Sequence, residues 1–125
     1  MGEKVRILVA DDDKELVQTI EEELVIEGYD VVIANDGEEA LNAIQTSPIQ
    51  IAILDLKMPK ISGLEILQKV KREYPNTKVI ILTAYANLEN VKKCRDLGAD
   101  EVVEKPYDLG ELFTAIEYFV GKSKQ

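Results

Sequence analysis

Histidine is absent from the 125 residues. That excludes Ser-His-Asp and Cys-His nucleophile systems and the common zinc sites on this chain. Cysteine occurs once, at Cys94, so no internal disulfide can form. Its spacing with Val91 and Leu97 on a predicted helix fits a small core residue better than a reactive thiol. Long hydrophobic runs are also missing. The longest uninterrupted apolar stretches have four residues, against roughly 20 needed to span a bilayer. The opening Met1-Gly2-Glu3-Lys4 has no apolar signal-peptide core. Basic residues are the minority, 15 against 24 acidic, for a net charge of -9. That balance opposes a nucleic-acid backbone and favours cations or basic protein surfaces as partners. These features predict a soluble cytoplasmic protein of one domain over 1–125, with a core over about 5–121, that contacts neither membrane nor nucleic acid directly.

Apolar runs alternate with helical patterns five times, which predicts an α/β fold with a parallel sheet and crossover helices. Strands are expected near 5–10, 30–34, 50–54, 78–82 and 101–104, and helices near 13–27, 36–47, 63–74, 87–97 and 108–120. The runs at 5–10, 50–54 and 78–82 are almost uninterrupted, as strands covered on both faces require, and so belong at the centre. The other two are bounded by charge and belong at the edges. Helix starts are signalled by an acceptor with Glu three residues later: Asp12 with Glu15, Asp36 with Glu39, Ser62 with Glu65 and Asp108 with Glu111. Gly28 and Gly98 are placed to end helices, and Pro48 and Pro75 prevent continuation. Lys69, Lys71, Arg72, Lys92 and Lys93 are expected on solvated helix faces.

Polar residues fall at the carboxyl ends of four of these strands: Asp11 and Asp12, Asp55, Thr83, and Lys105. In an open α/β sheet the ligand site lies outside those ends, where strand order reverses, so the five side chains should converge. Three carboxylates, a hydroxyl and an ammonium suit a hard divalent cation together with a phosphoryl group. Crowded carboxylates raise one another's pKa, which a cation relieves, and an Asp carboxylate so held can attack phosphorus.

Asp11-Asp12, Asp55-Leu56-Lys57-Met58-Pro59, Thr83-Ala84 and Lys105-Pro106 resemble the receiver domain of bacterial two-component response regulators. The resemblance covers essentially the whole chain, and within the family the motifs look closest to the single-domain sporulation phosphorelay intermediate. It implies a flavodoxin-like fold of strand order 2-1-3-4-5. It implies that Asp55 accepts a phosphoryl group from a phosphohistidine of a sensor histidine kinase, with a histidine phosphotransfer protein as a further partner. Mg²⁺, or Mn²⁺ in its place, is implied at Asp11, Asp12, Asp55 and the Lys57 backbone carbonyl, with Asp11 acting mainly through water. Thr83, the Ala84 amide and Lys105 are the implied phosphate-binding groups. Lys57 and Tyr85, two residues after the acceptor and two after the threonine, are expected to govern hydrolysis. Leu16, Pro106 and Tyr107 form the expected docking patch, beside the partly outward Ile26, and the Lys105-Pro106 bond is expected to be cis.

The chain is expected to be a monomer without an output domain, acting on its own aspartate rather than turning over a substrate. Ser62 and Val102 stand where many receivers carry Asp and an aromatic residue. Ser still caps a helix. Val102 argues for a phosphate carrier over a receiver that switches an output target, although it reads equally well as a plain β-branched residue on an edge strand. A phosphatase of the haloacid-dehalogenase type is disfavoured because Asp11-Asp12-Asp13-Lys14-Glu15 lacks the expected Asp-x-Asp-x-Thr/Val pattern. A flavin domain is disfavoured by acids in the first loop.

Overall fold

The computed structural model describes residues 4–105 and 109–123. Five strands and five helices alternate: β1 (Arg6–Ala10), α1 (Lys14–Ile26), β2 (Asp30–Ala34), α2 (Gly37–Thr46), β3 (Ile51–Leu54), α3 (Gly63–Glu73), β4 (Lys78–Thr83), α4 (Leu88–Asp96), β5 (Glu101–Glu104) and α5 (Leu109–Ser123). The strands form one parallel sheet in the order β2-β1-β3-β4-β5. The order reverses between β1 and β3, so a crevice opens at their carboxyl ends.

The period of two along each strand feeds two separate cores. Leu8, Ala10, Ala52, Leu54, Val79 and Ile81 face α2, α3 and α4, meeting Ala40, Ile44, Ile66, Leu67, Val70 and Cys94. Ile7, Val9, Ile51, Ile53, Ile80 and Leu82 face α1 and α5, meeting Val17, Ile20, Leu24, Leu112, Ile116 and Phe119. Both faces of β1, β3 and β4 are therefore covered, which is why these strands read as unbroken apolar runs. Each fully buried Leu or Ile contributes about 2 kcal/mol relative to exposure. Cys94 is one of these core residues, fully buried, and burial pushes its thiol pKa up.

Helix boundaries follow local chemistry. Asp36 and Ser62 accept from the Glu39 and Glu65 amides as expected, and Gly28 and Gly98 take positive φ after α1 and α4. The start of α1 departs from expectation. Asp13, not Asp12, is its cap and accepts from the Leu16 amide at 3.2 Å. Asp11 Oδ1 takes the Asp13 amide at 2.9 Å, so the chain turns one residue later and Asp12 is left exposed. Asn87 caps α4 by accepting from Asn90 at 2.8 Å. Asp108, the expected cap of α5, lies outside the described residues.

The basic residues of α3 are not uniformly solvated. Lys69 and Arg72 pair with Glu73 at the surface. Lys71 instead turns under the sheet to Asp100 at 2.6 Å and donates to the Thr77 carbonyl at 3.0 Å. Its long stem can lie along the protein while the ammonium reaches a partner at the sheet edge.

Candidate functional site

The backbone itself aims the site. The Asp11 amide donates to the Ala34 carbonyl and the Asp55 amide to the Ala10 carbonyl, both at 3.1 Å, so the ladder holds one residue beyond β1 and β3. Lys105 is fixed in the same way, its amide 2.8 Å from the Thr83 carbonyl. Asp11, Asp55 and Thr83 are consequently buried, at 2%, 5% and 0% exposure, while Asp12 faces solvent. Gly63 lets α3 begin against this strand end, since a Cβ there would stand 2.0 Å from the Asp55 carbonyl oxygen.

One ammonium serves two buried carboxylates. Lys105 Nζ lies 2.7 Å from Asp11 Oδ2 and 3.0 Å from Asp55 Oδ2. Burial pushes the Asp11 carboxyl above its ordinary value, and neighbouring Asp55 adds to the rise. The lowering from Lys105 and the Asp13 amide does not cancel it. Burial alone would lower the Lys105 pKa, yet the hydrogen bonds and charges of Asp11 and Asp55 outweigh it and the net shift is upward. Oxygens of Asp11, Asp12 and Asp55 all fall within 4.8 Å of one another. Three carboxylates against one ammonium leave negative charge uncompensated, and a set of hard oxygens at this spacing fits Mg²⁺.

Thr83 Oγ1 accepts from the Tyr85 amide at 3.0 Å, which keeps the hydroxyl at the end of β4 with its own proton free to donate. Ala84, next in line, is exposed. Lys57 is also exposed and lays its ammonium over the Tyr85 ring, 4.1 Å from the centroid. The two residues expected to govern hydrolysis therefore touch, joining the β3 and β4 loops by a cation–π contact. Asn90 holds the same loop from α4, donating to the Tyr85 carbonyl at 2.7 Å. Asn87 carries no acid three residues on to mark it in the sequence, yet Asn caps as well as Asp, and the Asn90 bond to Tyr85 has no sequence signature.

Leu16 is half-buried against the α1–α5 core, whereas Ile26 is exposed. Pro106 and Tyr107, with the expected cis bond, lie outside the described residues. Val102 stands on the edge strand β5, as expected, and packs partly buried against the core that faces α2, α3 and α4. A groove of about 620 Å³ opens at the opposite end of the sheet, between the ends of α2 and α3 around Ile49, Tyr74 and Thr77. Chemistry, not volume, locates the site: that groove gathers no set of carboxylates around a cation. No helix among the described residues is long and apolar enough to cross a membrane.

The sequence profile described as the response regulator receiver domain matches residues 7–117. The transcriptional regulatory protein CpxR of Escherichia coli is 38% identical over 118 residues, covering 94% of this chain and 50% of CpxR. The uncharacterized transcriptional regulatory protein YkoG of Bacillus subtilis is 34% identical over 114 residues, covering 91% of this chain and 50% of YkoG. The chain thus spans about half the length of the curated relatives it matches. Among solved structures, a CheY-like receiver domain protein of Methanospirillum hungatei superposes with a TM-score of 0.90 at 34% identity, covering 98% of each chain. The response regulator TrrA of Thermotoga maritima, solved in complex with Mg²⁺ and BeF, gives 0.82 at 36% identity over 92% of this chain and 98% of TrrA. With the strand order and the carboxylate cluster already in place, this chain belongs to the response regulator receiver domain family.

Proposed function

We propose that Asp55 accepts a phosphoryl group from a phosphohistidine of a sensor histidine kinase in the cytoplasm, in a reaction that needs a divalent cation. The observation that carries this reading is the sharing of Lys105 between two buried carboxylates. That ammonium can leave Asp55 for a phosphate oxygen and still keep Asp11 as a partner. A carboxylate oxygen of Asp55 attacks phosphorus, the phosphorus–nitrogen bond breaks, and the imidazole leaves with its electron pair and takes a proton. Thr83 and the Ala84 amide donate to the phosphoryl oxygens, and Lys105 pairs with them. Asp12, Asp55 and the Lys57 carbonyl would hold Mg²⁺, with Asp11 supporting them. The cation, for which Mn²⁺ can substitute, supplies the positive charge that lets two anions approach. The chain acts on itself and turns over no separate substrate.

Lys57 and Tyr85 restrict the approach of hydrolytic water, the ammonium by standing near the phosphoryl oxygens and the ring by narrowing the opening. The phosphorylated state is then long-lived and suits a carrier that returns the group to a histidine phosphotransfer protein through the surface around Leu16. A second reading, a receiver that controls an output target, is favoured by the names of the relatives, which are transcriptional regulators. Labelling by a phosphorylated kinase fragment tests the first step: wild type should accept and Asp55→Asn should not. Labelling of Asp55→Asn at the wild-type rate would defeat the assignment. The lifetime of the label separates the two readings. Lys57→Asn should shorten it, and label should pass back to histidine. An unchanged lifetime with phosphorylation-driven dimerisation or target binding would favour the switch.

A further inference from the structure

Lys60 is the only non-glycine residue with positive φ among the described residues, at 73°. The Ile61 amide donates to the Pro59 carbonyl at 2.9 Å, closing a three-residue turn of the strained, positive-φ kind around it. Glycine or asparagine would take this backbone more easily. What lysine adds is reach: its Nζ lies 3.5 Å from Asp36 Oδ2 and 3.9 Å from Glu38 Oε2, at the start of α2. The main chain makes the same connection, with the Gly37 amide 3.1 Å from the Pro59 carbonyl. Gly37 fits there only without a side chain, because a Cβ would stand 1.9 Å from the Ile61 carbonyl oxygen. At its other end the loop is tied to α3 by the Gly63 amide, 3.0 Å from the Leu56 carbonyl. Residues 55–61, which include Asp55 and Lys57, are thus held between the first turns of two helices.

We propose that Lys60 is a positioning residue for the cation, its strained turn and its reach to α2 fixing the loop so that the Asp55 carboxylate and the Lys57 carbonyl converge on one point. This role rests on the Mg²⁺ site proposed above. A loop already fixed loses less freedom when the ion binds.

The test is Mg²⁺ affinity by calorimetry together with the melting temperature in chelator, for wild type, Lys60→Gly, Lys60→Arg and Asp12→Ala. Lys60→Gly should weaken Mg²⁺ binding on the order of fivefold through the backbone freedom it restores, without lowering the metal-free melting temperature, because glycine relieves the positive φ. Lys60→Arg should bind as wild type does. Charge alone predicts the opposite sign, since removing a lysine near an acidic cluster should tighten cation binding. Unchanged or tighter binding by Lys60→Gly, weaker binding accompanied by a lower metal-free melting temperature, or failure of Lys60→Arg to rescue would each overturn the role. Wild type that binds no Mg²⁺, or Asp12→Ala that binds as wild type does, would overturn the metal site and this role with it.

Discussion

The two ends of this sheet handle charge in opposite ways. At the amino ends two ammonium groups meet one carboxylate: Asp100 takes Lys71 at 2.6 Å and Lys78 at 3.9 Å, and also accepts from the Val79 amide at 2.8 Å. At the same end of the sheet, Thr77 donates to the Ile49 carbonyl at 2.7 Å and, across on β1 and β2, Arg6 pairs with Asp30 at 2.8 Å. At the carboxyl ends one ammonium serves two buried carboxylates, with a third nearby. Both clusters sit on the same scaffold, so the difference lies in what each charge is for. Satisfied groups fasten strands to helices, whereas the uncompensated negative charge at the other end is, on the function proposed above, stability given up for an ion and a phosphoryl group.

Asp100→Ala should give the largest effect. It strands a partly buried Lys71 and a backbone amide and should lower stability by about 2 kcal/mol in urea unfolding. Asp55→Ala should act in the other direction in chelator, raising stability by about 1 kcal/mol, because Lys105 keeps Asp11 while a buried carboxylate is removed. If both substitutions destabilise equally, the contrast between the two ends fails. Within the site, Asp13→Ala should cost up to about 1 kcal/mol through loss of the α1 cap. Asp12→Ala should cost nothing in chelator while abolishing the stabilisation that Mg²⁺ gives. Adjacent acids would then divide cleanly between fold and ligand.

The smallest effect is one of pH. Asp11 has a raised pKa when folded, so its contribution to stability is present below the ordinary carboxylate pKa and is lost as pH rises through the folded value. In chelator, wild type should therefore lose stability relative to Asp11→Ala as pH rises above the ordinary carboxylate range. Urea midpoints across that rise give the slope, and a flat difference would mean that Asp11 titrates normally.

Most of the architecture is legible in the sequence because three strands are buried on both faces and the site sits where strands end. Val79-Ile80-Ile81-Leu82 followed by Thr83 specifies a central strand and a buried hydroxyl at its carboxyl end together. What escaped is what depends on three dimensions. The turn of Lys71 toward Asp100 leaves no periodic trace, since Lys71 reads like its solvated neighbours Lys69 and Arg72. The positive φ of Lys60 has no glycine to announce it. Asp12 and Asp13 are chemically interchangeable as caps, and only the hydrogen bond from the Asp13 amide to Asp11 decides between them. The cation–π contact of Lys57 with Tyr85 joins two loops whose separate roles were expected but whose contact was not.

Intact-mass measurement after incubation with a small-molecule phosphodonor, with and without Mg²⁺, bears most directly on the claim that the carboxyl end is kept short of positive charge in order to receive an ion and a phosphoryl group at Asp55. Wild type should gain one base-labile phosphoryl group only when Mg²⁺ is present, and Asp55→Asn should gain none. Equal labelling in chelator, or a phosphoryl group on Asp55→Asn, would contradict the account.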